Sequence, residues 1–224
     1  MKKEKFVRRI LAGVLAMVLA FGVVGPVAAY GGGIGIVPHA VPIDLAALIA
    51  AGVDDSGPGW EFTAAGASPN IFRVLDDTPL TLTGGSLGSM LNVSINVVSG
   101  LTADITIQNL HIHRTLGSAM AASGNLNLTI EGVNTLQAAG AAGLGVSSGA
   151  HLTINGTGTL TARGDLVGSI GSAGIGGSTS SATGTITING GTINAYGGGG
   201  VLGAGGGAGI GGGALVVLAV LAAS

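Results

Sequence analysis

The chain has 224 residues, 45 of them Gly and none Cys, and only 8% are charged, against roughly 25% in an ordinary soluble domain. Beyond residue 29 only Arg73, Arg114 and Arg163 stand against nine acids, a net charge near −6. With no cluster of Lys or Arg to release counterions from a phosphate backbone, nucleic-acid binding is excluded, and without Cys there is neither a disulfide framework nor a thiolate metal site.

Residues 1–29 read as a secretory signal peptide. Lys2, Lys3, Lys5, Arg8 and Arg9 form a basic start, residues 10–24 are apolar, and the small residues of Val27-Ala28-Ala29 predict cleavage after Ala29. The apolar run of about 15 residues falls short of the ~20 needed to span a bilayer. The expected location is therefore outside a bacterial cell, secreted or at its surface, with no stable membrane span in the mature chain.

Residues 30–56 form an N-terminal linker and cap. Gly31 to Gly33, Pro38 and Pro42 predict an irregular start, and residues 43–52 (IDLAALIAAG) predict one short helix. A helix there closes the end of the next region, where an uncovered strand edge invites pairing.

Residues 57–213 carry a repeat. The strings GAHLTING (149–156) and GTITING (184–190) align through Ile154 and Ile188, 34 residues apart, and each leads into a second short strand, TGTLTA or GTINA. A looser copy, NLNLTIEG (125–132), puts Ile130 24 residues before Ile154, and DITI (104–107) lies 23 before that. A glycine element recurs beside them: AGLG (142–145), AGIGG (173–177) and AGIGG (208–212). Apolar residues alternate with Thr and Asn, the period of a strand with one buried and one wet face, and β-branched residues favour strands. One such coil cannot bury its apolar row, whereas copies stacked about 4.8 Å apart can. The fold class expected is all-β: a right-handed parallel β-helix of six to seven coils. The glycine elements form its corners, and residues 166–181 form a loop leaving one corner. An antiparallel sandwich predicts hairpin turns rather than a translational repeat. Residues 214–224 are an apolar tail, with a last strand, a short capping helix and the stub of a truncated chain all left open.

From residue 57 onward, GPGW (57–60), TADITI (102–107), NTL (134–136), HLTING (151–156) and AGIGG (208–212) resemble a family of secreted bacterial carbohydrate-binding surface proteins, cellulose- and pectin-binding-like, built on a right-handed parallel β-helix. The resemblance implies an exported, non-enzymatic module whose partner is polysaccharide or cell-wall glycan. Alternatives are a structural or adhesive surface stalk without glycan specificity and a polysaccharide lyase or hydrolase.

Four residues are candidates for ligand binding. Trp60 and Tyr196 offer aromatic rings, with an end plug as the other role for Trp60. Asn155 and Asn189, stacked with Asn127 and Asn194, offer amides, unless these form internal ladders. His111 and His113 share one strand face, but no third ligand accompanies them, so no metal or cofactor is assigned and both are expected to face solvent. The pairs Asp54, Asp55 and Asp76, Asp77 are expected to cap turns. Hydrolysis needs paired carboxylates, and Asp104, Glu131 and Asp165 are scattered singly, so no catalytic residue is assigned. Arg163 is expected to pair with Asp165.

Overall fold

The computed structural model describes residues 41–64, 70–201 and 205–214. The expected signal peptide, most of the glycine- and proline-bearing start of the expected linker and the tail beyond Ala214 lie outside them.

Each complete turn of chain contributes a strand to each of three faces. The first face holds β1 (Ile43–Asp44), β5 (Leu80–Gly84), the first part of β7 (Thr102–His113), β9 (Asn125–Glu131), β12 (His151–Gly156) and β17 (Thr185–Ile188). The second holds the end of β7, then β10 (Val133–Gln137), β13 (Thr159–Arg163) and β18 (Thr192–Tyr196). The third holds β4 (Asn70–Val74), β6 (Val93–Val97), β8 (Met120–Ala122), β11 (Leu144–Val146), β16 (Ile175–Gly176) and β19 (Ile210–Gly211). Among the described residues these strands pair from turn to turn in parallel, so the fold is a parallel β-solenoid, of about four turns.

Six to seven coils were expected, and two departures account for the shortfall. β2 (Asp55–Gly57) and β3 (Trp60–Thr63) run antiparallel to each other, and β3 to β4, so they extend the third face without making a turn. The turn after β13 is longer than its neighbours. Part of the predicted corner loop is a hairpin of β14 (Leu166–Val167) and β15 (Ile170–Gly171), but part is β16 itself. The glycine elements are likewise strands rather than corners: Leu144, Ile175 and Ile210 stack in register, with Gly145, Gly176 and Gly211 beside them. Gly176 and Gly211 have φ near 132° and 134°, a region closed to most side chains, and a Cβ on Gly176 would collide with the carbonyl of Gly211.

Alternation builds the core. Ile105, Leu128 and Ile154 succeed one another on the first face and Ile112, Leu136 and Ala162 on the second, each at most 1% exposed. Each such Ile or Leu side chain contributes roughly 2 kcal/mol of burial. At the N-terminal end, β1 adds a rung to β5 and leads into α1 (Leu45–Ala51). Asp44 caps this helix by accepting the N–H of Ala46 at 2.9 Å, Gly52 ends it at φ 64°, and Leu45 is fully buried. The predicted helical cap is thus present.

Candidate functional site

On the first face the outward residues form rows across the turns. One row runs Thr81, Thr106, Thr129, Asn155 and Asn189; a second runs Asp104, Asn127, Thr153 and Thr187. Much of their hydrogen-bonding capacity is used internally. Asn189 Nδ2 donates to Asn155 Oδ1 at 2.9 Å, Asn127 Nδ2 to Asp104 Oδ1 at 2.8 Å, and Asn125 Nδ2 to Thr102 Oγ1 at 3.3 Å. The candidates Asn155 and Asn189 therefore meet. Asn127 belongs to a different row and Asn194 to the second face, so the expected four-asparagine stack is divided.

The second face presents a different strip. His113, Gln137, Arg163 and Tyr196 lie in register on four successive turns. The guanidinium carbon of Arg163 stands 4.3 Å from the centre of the Tyr196 ring, which is 48% exposed. Such a contact is worth roughly 0.5–1 kcal/mol at an exposed site. It also replaces the expected bond to Asp165: among the described residues the ion pair is Arg73 with Glu61, at 3.1 Å. Among the described residues no carboxylate engages Arg163.

Beside this strip, His111, Thr135, Thr161 and Asn194 form the adjoining row. His111 is only 7% exposed, in contrast to the expected solvent-facing imidazole, because Thr135 of the next turn covers it, with Nδ1 3.2 Å from Thr135 Oγ1. Burial disfavours its charged form and lowers its pKa below the ordinary 6.5. As pH falls through the unfolded value the unfolded chain takes up this proton first, so stability is lost on acidification below about 6.5. Replacing His111→Gln is expected to flatten that part of a denaturation-versus-pH profile, which chemical unfolding at stepped pH measures.

Trp60 stands apart from these residues. It lies on β3, half-buried, its ring stacked on Phe72 at 5.2 Å and 15°. That contact, beside the first rungs, is the end-plug arrangement. Two further concavities exist. A trough of about 390 Å³ on the third face is lined by Ser118, Ser147, Ser178 and Ser181 around Gly145 and Gly176. A dip of about 440 Å³ is lined by Asp76, Asp77 and Asp104. Asp76 is held below the usual carboxylate range by hydrogen bonds from Thr78, as a turn cap, whereas Asp54 accepts the N–H of Ala64 from across the β2–β3 hairpin instead of capping its own turn. Among the described residues no three His, Asp or Glu side chains are grouped to hold a metal.

Sequence reasoning named Tyr196 but not its row. The signal was the coil step: His113, Gln137, Arg163 and Tyr196 are spaced by 24, 26 and 33 residues, following the strands they occupy. Compared with protein-family models, curated proteins and solved structures, the chain matches none.

Proposed function

We propose that the protein is an exported, non-enzymatic module that binds polysaccharide or cell-wall glycan across the turns of its second face. The observation that carries this reading is the strip of His113, Gln137, Arg163 and Tyr196 in register, with a half-exposed ring at one end. Tyr offers an apolar ring for a sugar's C–H face with a polar tip, and the imidazole, amide and guanidinium offer hydrogen bonds to its hydroxyls. Successive rungs are about 4.8 Å apart, comparable with the length of one hexose in an extended chain, so consecutive sugars meet consecutive side chains. The first face, whose amides are engaged with one another, serves the coil instead. Acid–base hydrolysis fits less well, because Asp104 is bonded to Asn127 and Glu131 is bonded to Gln108.

Affinity electrophoresis against cellulose, pectin and cell-wall polysaccharide tests the reading. At least one is expected to retard the protein. Tyr196→Ala is expected to weaken that binding about tenfold, the equivalent of ~1.4 kcal/mol, while Trp60→Phe leaves it unchanged. Uniform absence of retardation, or equal retardation of the Tyr196 variant, overturns the proposal.

A further inference from the structure

We infer that the C-terminal end of the solenoid is a docking surface for the same end of a second copy of this chain. The two ends differ. At the N-terminal end β1 and α1 cover the first rungs, and Leu45 is fully buried there. At the other end β17 and β18 close the order of their sheet, and among the described residues no strand pairs with their outer edges.

That edge exposes both backbone and core. The N–H groups of Thr185 and Asn189 bond back to Ala150 and Ile154. By the alternation of a parallel ladder, the N–H and C=O groups of Ile186 and Ile188 point away from the stack. The core row tells the same story: Leu128 and Ile154 are fully buried, while Ile188, next in that row, is 42% exposed. Ile186 and Ile193, in line with the buried Leu152 and Leu160, are only partly covered.

The usual protections of an edge are absent from these strands. β17 (TITI) and β18 (TINAY) contain no charge and no Pro, and the chain has no Lys after Lys5. An uncharged edge is electrostatically compatible with a copy of itself, which favours a second chain over a charged partner. At the N-terminal end α1, with Leu45 buried beneath it, packs over the first rungs, which disfavours head-to-tail stacking into a filament. The contact that remains is end to end about a two-fold axis, with β17 antiparallel to β17 of the partner, which closes at two chains.

Sedimentation of the full chain over a concentration series tests this, with three proteins compared. The parent is expected to pass from one chain to two with rising concentration and no further. Ile188→Lys, which puts a charge on the edge, is expected to remain a single chain. Thr153→Lys, on the outer side of an interior rung, is expected to dimerise as the parent does. Amide exchange gives a second readout on the parent alone: Ile186 and Ile188 are expected to become protected as concentration rises. A parent that stays monomeric with these amides already protected means that another segment of the same chain covers the edge, and overturns the proposal. So do assemblies larger than two, or association that survives Ile188→Lys. Glycan binding is read separately, through Tyr196, and its failure leaves this result untouched.

Discussion

Asn134→Ala is expected to destabilise the fold by about 3 kcal/mol, because a buried amide is removed from three backbone partners at once. Asn134 is fully buried although polar. Its Oδ1 accepts the N–H of Leu110 from the preceding turn at 2.9 Å; its Nδ2 donates to the carbonyl of Glu131 at 2.9 Å and to that of Thr159, in the following turn, at 3.4 Å. The side chain therefore ties three consecutive turns together at the bend between the first and second faces. That bend bulges the backbone: Asn109 takes φ 50° and Gly132 φ 63°, and a Cβ on Gly132 would collide with the Asn109 side chain. The ladder cannot pair normally there, so a side chain substitutes for it. Alanine leaves the Leu110 donor unsatisfied in the core, and each such loss costs roughly 1–3 kcal/mol. Total stabilities are commonly only about 5–15 kcal/mol, so the change is large. It reads out as a lower urea midpoint with an unchanged slope.

Ile154→Ala in the middle of the stack is expected to cost about 3 kcal/mol, while the same substitution at Ile188 costs less than about 1 kcal/mol. The two residues occupy one core row and have one chemistry. They differ in burial, since Ile154 is fully enclosed between turns and Ile188 is 42% exposed at the end. The interior deletion leaves a cavity that neighbouring rungs, fixed by hydrogen bonds on both sides, cannot collapse to fill. In a linear stack it also weakens the interfaces on either side of the rung, on which solenoid stability depends. Parallel urea titrations of the two variants check the contrast; equal losses would mean that the end of the stack is as closed as its centre.

The sequence made the inside-outside pattern of each strand legible, because alternation of Ile, Leu and Thr reports burial directly. It also gave the step from Ile154 to Ile188 and that from Ile107 to Ile130, both of which are true pairings. The step between them was misread. The repeat of sequence aligns Ile130 with Ile154, but the structure pairs Leu128 with Ile154 and Ile130 with Gly156. A slip of two residues keeps every side chain on its own face, so alternation is blind to it. The third face was hidden for another reason. Its later strands are two or three residues long and rich in glycine, too short to show a period, and glycine reads as a turn.

The side-chain partners were less legible than the fold. Asn134 looks like any strand-opening asparagine, and its role depends on the neighbouring turns. Arg163 has Asp165 two residues away, yet side chains at that spacing need not meet, and the coil step instead brings it over Tyr196. His111 and His113 look equivalent along the strand. Only the cross-turn neighbour, Thr135, separates the buried one from the exposed one.

The central claim is that successive turns stack in parallel with these residues in register, and paired cysteines test it most directly, since the chain has no Cys of its own. Residues stacked on neighbouring parallel rungs lie about 4.8 Å apart, within the roughly 4.4–6.8 Å Cα separation of a disulfide. The substitutions Thr129→Cys with Asn155→Cys, and Thr153→Cys with Thr187→Cys, join such neighbours on the first face. Both pairs are expected to close on mild oxidation, whereas Thr129→Cys with Thr161→Cys, which spans two faces, stays open. Failure of both in-register pairs to close in folded protein, or closure of the cross-face pair instead, would contradict the parallel stack.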